Sequence, residues 1–187
     1  SWVDSVPILV ISGQTFGYQI SNKARSFGLQ GFNIIDNVKK ITKYSAIIND
    51  PQKIKYHLDK AFYYASEGRP GPVWLDIPMD IQAAEVKPNL LRGFKKIDKI
   101  KKNKASKYKK LSSLLNNSKN PVILYGQGIR LSKSVNEFRK FIRNLNIPAI
   151  CTRMGLDILK YNETNFFGLA GIRGHKFSQK IIKKADL

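Results

Sequence analysis

One stretch, Glu67-Gly68-Arg69-Pro70-Gly71-Pro72-Val73-Trp74-Leu75-Asp76-Ile77-Pro78-Met79-Asp80, constrains the fold of this chain more than any other. Pro70 and Pro72 cannot continue a helix, whereas Gly68 can close one in the left-handed conformation. Val73 to Ile77 is a short apolar run, as expected of a strand covered on both faces. Upstream, Asp50-Pro51 joins an N-cap residue to a proline at the first helical position. Ile54, Leu58, Ala61, Phe62 and Ala65 then recur at helical spacing until Gly68. Pro7-Ile8-Leu9-Val10-Ile11-Ser12-Gly13 is a second buried-strand candidate, ending at Gln14. Strand, long connection, helix and strand make a βαβ unit, whose strands lie parallel in one sheet.

After Gln82 the composition changes. Residues 92 to 110 hold ten Lys or Arg and a single acid, Asp98, which reads as an exposed linker leading into a short helix around Lys104 to Leu115. Asn120 opens a second α/β unit. Pro121 to Tyr125 reads as a strand, Gly126-Gln127-Gly128 as the turn after it, and Val135, Phe138, Phe141, Ile142 and Leu145 as a helix face. Pro148 to Thr152 reads as the next strand. Gly168, Gly171 and Gly174 form a glycine-rich loop before a helix carrying Phe177, Ile181 and Ile182. This start resembles a dinucleotide-binding domain, although the later acidic residue of the full fingerprint is not evident.

At 187 residues and 42% apolar content the chain can build real cores. No apolar run approaches the roughly 18 residues needed to span a bilayer, so a soluble protein is expected, with no membrane partner. A single cysteine, Cys151, excludes an internal disulfide and fits a reducing, cytoplasmic setting. His57 and His175 lack a cysteine or carboxylate cluster and are read as surface or capping residues, not metal ligands. The net charge of +20 invites a nucleic-acid reading. Of the 33 basic residues, however, 25 are lysines, and nucleic-acid readers lean on arginine and exposed aromatics. A solvated basic surface with no nucleic-acid partner is the expectation.

In order along the chain, these segments resemble the thiamine-diphosphate-dependent enzymes of the acetolactate synthase type. Ser5-Val6-Pro7 through Gly13-Gln14 is similar to that family's DSVP-apolar-GQ strand. Gln30-Gly31, Ile34-Ile35 and Ile41-Thr42-Lys43-Tyr44 are similar to its glutamine turn and ITKY segment. Glu67 to Gln82 resembles the end of its N-terminal, pyrimidine-binding domain. Pro121 to Gly128, Cys151 to Asp157, Gly168 to Gly174 and Ala185-Asp186-Leu187 resemble successive pieces of its central domain.

The resemblance implies an α/β fold of two incomplete three-layer parallel-sheet domains. Residues 1–85 would be the back of the pyrimidine-binding, thiamine diphosphate domain. Residues 86–118 would be a basic linker and short helix, and 119–187 the front of a Rossmann-like FAD/NAD-binding central domain. The implied activity is decarboxylation and carboligation of an α-keto acid such as pyruvate by a homodimer or homotetramer. Thiamine diphosphate and Mg²⁺ would be held mostly by residues outside these 187, since the sequence contains no Gly-Asp-Gly motif and no upstream catalytic glutamate. The chain is thus read as an internal fragment, without carboligase activity of its own and with no catalytic or metal-ligating residue assigned.

By the same resemblance Gln14 and Gln30 line the substrate channel. Arg69, Gly126, Gln127, Gly128, Thr152, Arg153, Met154, Gly171, Ile172 and Arg173 match positions that face FAD in the flavin-binding members; related central domains bind another nucleotide or nothing. Local turn hydrogen bonding is the competing reading for Gln14. Three departures stand out. Met79 replaces the lysine of the family's Asp-x-Pro-Lys-Asp, Arg173 stands where histidine is usual, and Gln127 interrupts a glycine run. They leave open a related thiamine-diphosphate decarboxylase or sugar-pathway enzyme, and a non-catalytic nucleotide-binding or oligomerisation module on the same scaffold.

Overall fold

A computed structural model describes residues 1–20, 25, 31–96 and 105–187. The chain divides into two compact units, Ser1–Lys99 and Ile100–Leu187.

In the first unit the elements run β1 (Leu9–Gln14), α1 (Ile34–Val38), β2 (Tyr44–Ile47), α2 (Ile54–Ser66), β3 (Val73–Pro78) and the short α3 (Met79–Gln82). All strand pairs are parallel and β3 lies in the middle, in the order β1-β3-β2. The long connection expected between the two sequence-predicted strands therefore contains a third strand. Tyr44–Ile47 is too short and too mixed in polarity to announce itself by period, and it is held by pairing with Val73–Asp76.

Helix α2 forms for the reasons its sequence carries. Asp50 caps its leading turn, its carboxylate accepting from the Gln52 amide at 2.9 Å, with Pro51 next. Its stop is Gly68 at φ +63°, the left-handed region that costs glycine nothing. The helix packs across all three strands. Ala61 and Ala65 meet Val73, Leu75 and Ile48 in a core completed by Leu9, Leu58 and Ile77. Phe62 shares the helical period but is exposed, so the buried stripe is narrower than the apolar pattern suggests. Since side chains alternate along a strand, Trp74 and Asp76 point to the opposite face of β3.

The segment after α3 is pinned to the outer side of α2. Phe94 packs its ring against Tyr56, Tyr63 and Tyr64 at centroid distances of 5.4–6.2 Å, and its amide reaches the Asp59 carboxylate at 3.3 Å. His57 belongs to this aromatic group. Its Nδ1 lies 2.5 Å from the Tyr44 hydroxyl, so it is half-buried rather than a surface or capping residue. Burial lowers the His57 pKa and pushes the Tyr44 phenol up to about 12.

The second unit runs α4 (Ala105–Asn117), β4 (Ile123–Tyr125), α5 (Gly128–Leu131), α6 (Val135–Arg143), β5 (Ala149–Cys151), β6 (Phe166–Leu169) and α7 (Lys176–Lys184). Its sheet is again parallel, in the order β4-β5-β6. Ile142 of α6 packs with Tyr125, Ala149, Cys151, Ile158 and Leu159, none of which exceeds 4% exposure. Phe166–Leu169 was not expected as a strand, and Gly168 belongs to it rather than to the glycine loop. At φ +82°, any Cβ on Gly168 would lie 2.4 Å from His175 Nδ1, so the strand accepts a glycine because His175 fills that space. Among the described residues no helix is long and apolar enough to cross a membrane.

Residues 185–187 bond back to the segment that leads into β4. The Asp186 carboxylate accepts from the Lys119 amide at 2.8 Å, the Asn120 amide at 2.9 Å and the Ser118 hydroxyl. Alongside, Asp186 N–H donates to Asn120 O and Val122 N–H to Leu187 O. These donors, the Ser118 hydroxyl foremost, hold the Asp186 carboxyl down to about 2.

Two predictions follow from packing and charge. Leu75→Ala, emptying a fully buried site in the central strand, is expected to cost roughly 2–5 kcal/mol in urea denaturation. Asp186 has a folded pKa below its unfolded value of about 3.9, so its contribution is complete above that value and disappears as pH falls toward 2. The melting-temperature gap between the wild type and Asp186→Asn should accordingly be constant near neutral pH and close between about pH 4 and pH 2.

Candidate functional site

A parallel sheet brings every strand's carboxyl end to one edge, where loops from non-adjacent sequence meet. Both units use that edge.

In the second unit the edge gathers Gly126-Gln127-Gly128 after β4, Thr152-Arg153-Met154 after β5 and Gly171-Ile172-Arg173 after β6. The first two loops touch. Thr152 N–H donates to Tyr125 O at 2.8 Å, and a Cβ on Gly126 would meet Thr152 Oγ1 at 2.5 Å. Gly155 abuts main chain rather than a side chain: its Cβ would lie 2.9 Å from Gly126 Cα. Here the missing side chains let two backbones pack against each other. Arg130 then stitches the loops together. Its guanidinium donates to Gln127 Oε1 at 2.8 Å, to Met154 O at 3.3 Å and to Asp157 Oδ1 at 2.5 Å. That hydrogen bond holds the Asp157 carboxyl below its ordinary range. Gln127 is therefore committed to Arg130, not left facing outward.

Three features remain available to an anionic group at this edge. Gly128 has no atom within 4 Å of where its Cβ would stand. Arg153 and Arg173 are exposed and carry no ion pair among the described residues. Gly171, at φ +96°, turns the third loop and leaves Ile172 fully exposed at its tip. His175 closes that loop's base: its Nδ1 accepts from Leu169 N–H while its own amide donates to Leu169 O, both at 3.1 Å. An open glycine turn and two exposed guanidiniums on loops of one sheet edge are groups of the kind that phosphates bind. Arg130 and Asp157 escaped the sequence reading because they lie 27 residues apart with no local pattern; only the sheet brings them together.

In the first unit a cavity of about 500 Å³ opens between the loops after β1 and β2 and helix α3, lined by Gly17, Tyr18, Asn33, Asn49 and Asp80 among others. The Asp80 carboxylate accepts from Gly17 N–H at 3.0 Å. Asn33 donates to Asp36 at 2.7 Å, while its own Oδ1 is buried without a partner. Met79, the first residue of α3, is half exposed.

Behind this cavity lies a buried polar relay. Asp76, with no exposed surface, accepts from the Ser12 hydroxyl at 2.5 Å and from Gln14 Nε2 at 3.1 Å. Ser12 in turn accepts from Trp74 Nε1 at 2.8 Å. Gln14 Nε2 also donates to Phe32 O at 2.8 Å, and its Oε1 accepts from Thr15 N–H at 2.9 Å. The Gln14 amide is thus fully used inside the protein. Gln30 lies outside the described residues. Arg69 donates from Nε to Ser5 Oγ at 2.6 Å and from Nη2 to Val3 O at 3.2 Å, so its guanidinium is engaged by the N-terminal segment of its own unit. Among the described residues no group of three or more His, Cys, Asp or Glu could hold a metal ion.

Against known proteins, residues 108–187 match the family described as thiamine pyrophosphate enzyme, central domain. The whole chain is similar to the acetolactate synthase large subunit of Lactococcus lactis subsp. lactis, with 33% identity over 100% of this chain and 32% of the relative. The large subunit from Haemophilus influenzae is 30% identical over 100% of this chain and 33% of its own length. Acetolactate synthase 1, chloroplastic, of Zea mays is 33% identical over 99% of this chain and 29% of its own length. The chain spans about a third of the length of these relatives.

The backbone contact between the β4 and β5 loops makes Gly155→Ala a sharp probe. The added methyl meets main chain rather than a movable side chain, and it should cost roughly 1–3 kcal/mol. Denaturation would measure the loss, and the amide resonances of Gln127 and Gly128 should move with it.

Proposed function

We propose that this chain, which belongs to the thiamine-diphosphate-dependent enzyme family of the acetolactate synthase type, forms part of an enzyme that decarboxylates an α-keto acid such as pyruvate and joins the retained fragment to a second keto acid. The observation that carries this reading is end-to-end similarity to acetolactate synthase large subunits, running through both parallel sheets. Thiamine diphosphate is the family's cofactor; when bound, with Mg²⁺, it supplies the nucleophile that attacks the keto carbon.

What this chain would contribute is shape and charge. We assign residues 1–85 to the pyrimidine-binding domain, 86–118 to the connecting segment and 119–187 to the central domain. In the first domain the cavity beside Asp80 and Asn33 would form a wall of the substrate channel. Gln14 would serve it through the loop it holds, and Gln30 would lie along it. In the central domain Gly126, Gln127, Gly128, Thr152, Arg153, Met154, Gly171, Ile172 and Arg173 would border FAD. Of these, Arg153 and Arg173, exposed and without an ion pair among the described residues, would take its phosphates, with Gly128 giving the backbone room to approach. Arg69, a further cofactor contact by the same resemblance, would be available to a ligand only after release from Ser5. A homodimer or homotetramer in the cytoplasm is the assembly this reading carries. Met79, a thioether where the family's lysine would place a cation, favours a related decarboxylase or sugar-pathway enzyme as the second reading.

The decisive assay uses the protein expressed from its full reading frame. With thiamine diphosphate and Mg²⁺ it should release CO₂ from pyruvate and form acetolactate; a folded protein that yields neither product from pyruvate sinks the acetolactate assignment. The 187-residue chain alone should show no carboligase activity under the same conditions. In calorimetric titration it should bind FAD, with affinity lowered at least about tenfold in Arg153→Ala/Arg173→Ala. No heat of binding to the folded chain would remove the flavin from the proposal.

A further inference from the structure

We propose that Asp76 is a positioning residue: it fixes the flip of the Gln14 amide, and through that amide it sets the spacing of the two backbone segments that border the first unit's cavity. The proposal rests on the reading of that cavity as part of the substrate channel.

Asp76 and Ser12 are direct cross-strand partners in the β1–β3 register, so their side chains, with that of Gln14 two residues on, share one face of the sheet. Among the described residues a carboxylate there has no lysine or arginine partner and only neutral donors around it, an arrangement that is costly to bury. What it alone provides is acceptance at both oxygens, one from the Ser12 hydroxyl and one from the Gln14 amide. An asparagine can accept at only one position: with its oxygen kept for the Ser12 hydroxyl, which already accepts from Trp74 and needs an acceptor for its own hydrogen, its NH₂ opposes the Gln14 NH₂.

The consequence is transmitted by Gln14. With Nε2 drawn to Asp76, its second hydrogen reaches Phe32 O at 2.8 Å and Oε1 is left facing Thr15 N–H at 2.9 Å. Rotated by half a turn, the amide would set its oxygen against both the carboxylate and the carbonyl. Asp76, among the described residues the one side chain that accepts from this amide, thus joins Phe32 O and Thr15 N–H in holding the single orientation that ties Phe32 to Thr15. These two residues lead into the two sides of the cavity. Thr15 precedes Gly17, itself held by Asp80, while Phe32 precedes the cavity-lining Asn33. Asp76 and Gln14 do not line the cavity themselves, so their influence on a ligand passes through the backbone they hold.

Two arms test this. In the 187-residue chain, NMR follows the Thr15 amide, the Phe32 carbonyl carbon and, as reference, the Ile48 amide, which donates to the Asp76 main-chain oxygen. Asp76→Asn should lower Thr15 amide protection at least about tenfold and shift the Phe32 carbonyl, while Ile48 keeps its protection. A second variant, Q14E/D76N, lets donor and acceptor trade places. It restores the buried side-chain bond, and with it thermal stability, but offers no hydrogen to Phe32. Its melting temperature should recover while the Phe32 carbonyl stays shifted. This variant also decides the matter if Asp76→Asn alone does not fold. Equal loss of protection at Thr15 and Ile48, or a Phe32 shift that recovers along with stability, would reduce Asp76 to a general stabiliser and overturn the proposal.

In the full-length enzyme, both variants should raise the KM for the keto acid about tenfold with kcat little changed, the pattern of lost binding geometry. A fall in kcat alone would count against positioning. Absence of keto-acid turnover in the wild type would instead refute the proposed function, and the NMR arm would still decide whether Asp76 orients Gln14.

Discussion

A parallel strand cannot reach its neighbour by a tight turn; the chain must cross back over the sheet before it can pair again. Both units are consequences of that constraint. In the first, α2 makes the return from β2 to β3, and in doing so covers the face that carries Val73, Leu75 and Ile77. In the second, α6 makes the return from β4 to β5 and buries Ile142 against Tyr125 and Cys151. Because every crossing runs the same way, the carboxyl ends of all strands in a sheet accumulate on one edge. The glycine turns, the free arginines and the cavity stand on those edges as a result of connectivity, with no local sequence feature required to bring them together.

The same constraint explains what the sequence disclosed. Helix α2 was legible because three independent signals agreed: Asp50-Pro51 at its start, an apolar period through its length and Gly68 at its end. β1, β3, β4 and β5 were legible as apolar runs bounded by proline or glycine. β2 and β6 were not. Tyr44–Ile47 exists as a strand because β3 offers it a partner, and Phe166–Leu169 contains a glycine whose space is taken by a histidine seven residues away. Pairing energy decided both, and pairing is not written in either segment alone.

The sites divide along the same line. Glycines at turns can be marked from sequence, since few other residues tolerate such positions. Whether a polar side chain faces outward or inward cannot. Gln14 and Gln127 both stand at strand ends that suggest ligand contact, yet each spends its amide on a neighbour: Asp76, Phe32 and Thr15 for one, Arg130 for the other. Asp76 looked like one residue of an apolar strand because a lone acid in such a run has no visible partner until β1 is laid beside it. Arg153 and Arg173 are the opposite case, exposed cations without an ion pair among the described residues.

The Asp186 clasp also joins two stretches that lie far apart in sequence. Ala185–Leu187 run beside the start of β4, with Asn120 and Val122 bonded to Asp186 and Leu187, and the Asp186 carboxylate is anchored to the turn before β4. Loosening the clasp would thus free the entry to β4 and the exit from α7 together, and its first symptom would be faster amide exchange at Lys119, Asn120 and Val122 while the core around Ile142 and Cys151 stays closed.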